Sequence, residues 1–308
     1  MTRAWLCATA SMLLLAAGPA APTILRDQLW TVREGNAAAL LTEAPAECLA
    51  MPKEQKQRQM VEIGRVLFRS PGILGGPAAR LGLSCNACHP NGHTNTAFDL
   101  PELTDKPGAA DVTAEWASAV RGDGIMNPVP IPDLTDVQSR KTFGHIKEPS
   151  LPVFVNKVIT EEFQGVPLQR TAMAGLLAYL GMLRSVDCPA MKMVPITLSN
   201  AADEVRQALD GLGQAADPST AQLLLLAARE AMGRIAERLP QASFSKERET
   251  LTALAREIAA WRVQIPFRPD DIPPGWTARF DGLMAGLKAR ENETYFNTKT
   301  LSVALSRP

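Results

Sequence analysis

Histidine is scarce in this chain. Three occur among 308 residues, so any metal or acid–base chemistry resting on imidazole has only His89, His93 and His145 as carriers. Net charge is absent as well. Lys plus Arg and Asp plus Glu stand at 32 each, and that balance argues against a nucleic-acid binder, in which basic residues normally dominate. Past the first twenty residues no apolar run approaches the roughly 20 needed to cross a bilayer, so a membrane-spanning chain is not expected. Internal repeats are also missing. What is plentiful is apolar residues, at 46%, and proline, at 24, crowded between Pro101 and Pro167. Helices joined by irregular, proline-rich loops are the expected result.

The first residues have the pattern of a secretory signal. Arg3 provides a positive start, residues 5–18 form an apolar run containing Met12-Leu13-Leu14-Leu15, and Gly18-Pro19-Ala20 offers small residues for cleavage. Residues 1–20 are therefore read as a signal peptide and the mature protein as periplasmic. Cys7 leaves with that segment, which leaves Cys48, Cys85, Cys88 and Cys188. In an oxidising compartment Cys48 and Cys188 are expected to pair with each other. By chain-entropy reasoning a bridge closing so long a loop contributes on the order of 4 kcal/mol.

The other two cysteines lie in Ser84-Cys85-Asn86-Ala87-Cys88-His89, a C-x-x-C-H motif. Cysteines three apart on a helical turn can each form a thioether to one of the two haem vinyl groups. The next residue is then delivered under the porphyrin, where its imidazole can bind iron. A thioredoxin-like dithiol would need a βαβ context that the flanks lack. A structural zinc site would need two further ligands, and beyond His93 no local candidate exists. The motif occurs once, so one covalent haem c is expected, held by Cys85 and Cys88 with His89 as proximal ligand.

Apolar spacing predicts a helix over 53–69, stopped by Pro71 and Gly72, and a Gly/Pro-rich loop leading into the motif. Periodicity is weak over 90–152, apart from a short helix over 113–121. Helices are predicted again over 152–163 and 170–183, the latter with Met173, Leu176, Leu177, Leu180 and Leu183 on one face. Beyond Ser199 the pattern becomes a helical bundle. One helix is capped by Ser199 or Asn200 and runs to Gly213. Another is opened by Asp217 and Pro218 and runs to Leu239, and one capped by Ser245 runs to Arg262. A Pro-rich linker over 266–274 precedes a last helix over 277–290.

Residues 55–187 resemble the haem module of bacterial di-haem cytochrome c peroxidases and MauG-type proteins. The resemblance rests on Gly64-Arg65-Val66-Leu67-Phe68 followed by a glycine-rich loop and the haem motif. Downstream, Ile131-Pro132-Asp133-Leu134-Thr135-Asp136-Val137 is similar to that family's TPSLRNV segment. Phe143-Gly144-His145 falls at its YMHDG, and the stretch closing on Tyr179-Leu180 is similar to its ALVAYL helix. The family typically carries two such modules, whereas this chain has one. Gly144 stands where the family has a methionine that can bind iron, and Ile146-Lys147 replace its Asp-Gly.

The expected fold is mainly α: a cytochrome c-like haem domain over 21–195 with long irregular loops, and a C-terminal α-helical bundle over 196–308. His145 is the favoured sixth iron ligand, with Met126, in the Gly/Pro-bounded loop 122–128, and an open position as the alternatives. His93 reads instead as a loop histidine bonding backbone or a propionate. Two protein ligands would make the chain an electron carrier serving a redox partner protein or a small electron donor. An open position would allow a peroxidase, with Glu102, Glu148 and Glu161 as available carboxylates. A non-catalytic haem subunit, docking another protein through its helical tail, is the third expectation. A purely structural role for that tail, burying surface of the haem domain, stands beside it.

Overall fold

The structure, a computed structural model, describes residues 24–32, 36–188, 192–264 and 268–306. The expected signal peptide over 1–20 lies outside them. Among the described residues the chain is mainly helical. The first helices are α1 (Ala37–Thr42), α2 (Gln55–Phe68), α3 (Gly76–Leu81) and α4 (Cys85–Cys88). They are followed by α5 (Leu151–Lys157), α6 (Arg170–Met182), α7 (Leu198–Asp210) and α8 (Pro218–Glu237). The last three are α9 (Gln241–Trp261), α10 (Pro274–Ala289) and α11 (Thr298–Leu305). None of them is long and apolar enough to cross a membrane. The strands are short. β1 (Glu43–Pro45) pairs antiparallel with β4 (Met193–Pro195), Glu43 opposite Pro195, and β2 (Ala109–Ala110) pairs with β3 (Val129–Pro130).

Helices predicted from strong apolar periodicity form close to their expected bounds. Asp217 caps α8 as expected, its side chain accepting from the Thr220 amide with Pro218 at the first helical position. Four expectations change. α7 is capped by Thr197, whose hydroxyl accepts from the Asn200 amide, so neither Ser199 nor Asn200 is its cap. α9 begins at Gln241 and crosses a kink at Phe244 before the stretch that Ser245 was expected to open. No helix forms over 113–121. There the Asp111 carboxylate accepts from the Thr113 amide and hydroxyl, and the Ser118 hydroxyl accepts from the amides of Val120 and Arg121. These local side-chain bonds give the backbone an alternative to helical pairing. The helix expected over 152–163 divides into α5 and a wider turn, Val158–Glu162.

The fold is organised around the crossing of α2 and α6. Gly64 and Gly175 let the two backbones touch: a Cβ on Gly64 would stand 1.9 Å from the Gly175 carbonyl oxygen, and one on Gly175 would stand 2.7 Å from Ile63. α7 and α8 then cover α2 from the other side, with Ile63 reaching Gly211 and Leu226 lying over Gly72. The hydrophobic core consequently runs without a break from Trp30 and Ile63 through Tyr179 and Leu224 to Trp276 and Phe296. At its far end Trp276 stacks on Phe280 with ring centroids 5.4 Å apart and meets Trp261 edge-on at 5.6 Å. Cys48 and Cys188 are joined as expected, with Cα atoms 5.2 Å apart across 140 residues of chain. The closeness of α2 to α6 makes Gly64→Ala costly. Backbone has to separate from backbone, and urea unfolding should show a loss of about 3 kcal/mol. A variant as stable as the parent would mean that the crossing is not limiting.

Candidate haem-attachment site

Cys85 and Cys88 sit at the two ends of α4, one short turn, and His89 follows as its C-terminal cap residue with its amide on the Cys85 carbonyl. All three side chains are half-buried, and both thiols are free. Burial pushes each thiol up to about 12, and for Cys88 the nearby carboxylate of Glu162 adds to the effect. Burial also pulls His89 down to about 4, so its imidazole is neutral at physiological pH, the form that binds metal.

The orientation of that imidazole is set by one bond. His89 Nδ1–H donates to the carbonyl oxygen of Pro132 at 2.9 Å. A ring whose Nδ1 is engaged in this way presents Nε2 as the basic atom. The role of Pro132 as acceptor carries no local signal, since 43 residues separate donor and acceptor.

The donor set suits a covalently bound haem. It supplies two protonated thiols one turn apart and one neutral imidazole with Nε2 free of hydrogen bonds. Zinc is poorly matched, because no three His, Cys, Asp or Glu side chains among the described residues converge on a common point. His93, the zinc alternative's third ligand, is buried and points elsewhere. Its Nδ1–H donates to Asp133 at 2.8 Å, and Nε2 faces the Ala46 carbonyl at 3.2 Å. No family model, curated protein or solved structure matches this chain. The site therefore rests on its own geometry.

His145 and Met126 both stand in exposed loops, and neither is hydrogen-bonded to the attachment turn. His145 lies in the tight turn between Phe143 and Glu148, whose backbones pair with each other. Gly144, just before His145, has no room for a side chain. Its φ is +64°, and a Cβ would stand 2.4 Å from the Phe154 ring, which stacks on Phe143. Of the carboxylates available for acid–base work, Glu148 is paired with Lys157 at 2.9 Å and Glu161 with Arg121 at 2.9 Å, while Glu102 is exposed.

Behind the attachment turn lies a buried ionic network that sequence reasoning missed. Glu47 bonds Arg65 at 2.7 Å and Arg69 at 2.8 Å, and it accepts from the Tyr179 hydroxyl at 2.7 Å. Arg69 also donates to Asn91 in the loop after the haem motif, and it meets Glu204 of α7 at 3.3 Å. Burial alone would raise Glu47, but the guanidiniums of Arg69 and Arg65 outweigh it and hold the carboxyl down to about 2. The stabilisation is thus complete above the ordinary value of 4.5 and is lost as pH falls through about 2. Urea titrations across that window should show about 3 kcal/mol of acid destabilisation from this group. Glu47→Gln should be less stable at pH 7 and flatter in acid by that amount. Equal acid slopes for parent and variant would remove Glu47 from the account.

Proposed function

We propose that this chain is a periplasmic monohaem c-type cytochrome that transfers electrons, with residues 55–187 forming a single haem module of the cytochrome c peroxidase and MauG type. The observation that carries the reading is the His89–Pro132 hydrogen bond beside two free thiols one turn apart. In c-type attachment each thiol adds across a vinyl group, sulfur bonding to one carbon and its proton going to the other. Cys85 and Cys88 would hold the haem in this way, and His89 Nε2 would bind its iron. The bound haem would supply a one-electron couple between ferric and ferrous iron.

Two further observations support the reading. Val120, Ile125, Met126 and Ile146, all in the irregular stretch over 90–152, each leave half or more of their surface exposed. An apolar macrocycle is a suitable partner for such side chains. The Cys48–Cys188 bridge agrees with an exported protein. His145 is proposed as the sixth ligand, which would leave no position for peroxide. The C-terminal helices are proposed as a brace, since α7 and α8 place their apolar faces on α2.

Expression in a strain competent in cytochrome c maturation tests the reading. The isolated protein should carry the mass of one haem, retained after denaturation, and Cys85→Ala/Cys88→Ala should carry none. Its ferric spectrum should be low-spin and unaltered by cyanide or peroxide. His145→Ala should turn it high-spin, while Met126→Ala should not. Colourless protein with the mass of bare polypeptide would overturn the proposal. A high-spin ferric parent with peroxide turnover would replace the electron carrier by a peroxidase.

A further inference from the structure

The second imidazole behind the attachment turn is more constrained than a loop histidine needs to be. His93 is only 5% exposed. Its Nδ1–H is given to Asp133 Oδ2 at 2.8 Å, and on the other side Nε2 faces Ala46 O at 3.2 Å and Cys48 Sγ, the bridged sulfur, at 3.4 Å. The other carboxylate oxygen of Asp133 accepts from the Thr135 amide at 2.7 Å and the Thr135 hydroxyl at 2.5 Å. With both oxygens engaged, the Asp133 side chain has little freedom to rotate. The Arg140 guanidinium donates to the Asp133 carbonyl and closes the remaining side.

Asp133 directly follows Pro132, and the peptide unit joining them carries the oxygen that accepts the His89 Nδ1–H. Anchoring Asp133 therefore fixes the plane of that peptide and the direction of its oxygen. The Asp133 carboxylate and the Arg140 guanidinium both stand near enough to His89 to act on it electrostatically, with opposite signs. We infer that His93 and Asp133 are positioning residues for the iron-binding imidazole: they hold the Pro132 carbonyl on His89 Nδ1–H and thereby set the reduction potential of the haem. The inference rests on the haem reading above.

Both contributions of Asp133 have the same sign. A well-aimed carbonyl on Nδ1–H makes the ring a stronger electron donor, and a nearby negative charge favours the more positive ferric state. Loosening either should raise the potential. His93 and Asp133 act on the iron-binding ring through Pro132, with both His93 ring nitrogens turned to protein atoms. Their signature is consequently a change in the couple without a change of ligand.

The test uses the haem-loaded protein with Asp133→Asn, His93→Leu and His93→Asn. Asp133→Asn and His93→Leu should both raise the potential, moving the ferric-to-ferrous ratio at fixed poise on the order of tenfold, or 59 mV for one electron. The low-spin ferric g-values should move with it. His93→Asn places an amide nitrogen where Nδ1 stood, so it can keep the bond to Asp133 and should return both readings toward the parent. Asp133→Asn changes little volume at a half-exposed side chain, and it decides the matter alone if His93→Leu does not fold. An Asp133→Asn protein with parental potential and g-values overturns the inference, whether or not its Tm has fallen, and leaves the haem assignment standing. A parent protein that binds no haem overturns both.

Discussion

The ion pair between Arg69 and Glu47 is the constraint on which the surrounding architecture depends. A guanidinium withdrawn from water must have its donors met by acceptors, and a carboxylate beside it must be ionised to serve. Arg69, at the end of α2, satisfies that requirement with Glu47 from the segment before α2, Asn91 from the loop after α4 and Glu204 from α7. Tyr179 of α6 adds its hydroxyl to the same carboxylate. Elements far apart in the chain are thereby fixed to one another by a few buried atoms, and displacing any one of them would leave a buried polar group short of a partner.

The attachment turn is held by its surroundings as much as by its own helical bonds. Asn91 adopts a φ of +54°, a conformation that asparagine tolerates better than most residues. It is kept there by three bonds: Arg69 on its oxygen, Pro45 O on its amide nitrogen and the Asn86 side chain on its backbone N–H. On the opposite flank Pro132 holds the His89 ring. A rigid planar cofactor of the kind proposed here would gain from such support, because the thiol and imidazole positions need not be ordered at the moment of binding. The C-terminal helices contribute through the same network: Arg234 of α8 bonds Glu204, and Glu230 accepts from Ser70 at the end of α2.

Legibility followed the range of the determining interactions. α2, α6 and α8 were readable because apolar spacing and an Asp-Pro start are local signals that later packing reinforced. The short helix expected over 113–121 did not form because Asp111 and Ser118 bond neighbouring amides in turns, a competition decided within a few residues. α1, α11 and the short strand pairs passed unnoticed. Each is six to eight residues or fewer, too short to show a period, and is stabilised by contacts across the chain: α1 packs on α11, and β1 pairs with β4.

By itself the sequence determined the spacing of two thiols and an imidazole on one turn, since that arrangement spans five consecutive residues and is set by helical geometry alone. It also determined which two cysteines remained to pair with each other. Only the tertiary structure decided that the Pro132 carbonyl takes the His89 N–H, that His93 turns to Asp133 and that Glu47 meets Arg69. Those partners lie 43, 40 and 22 residues apart, and such pairings follow the path of the folded chain, which no local pattern records.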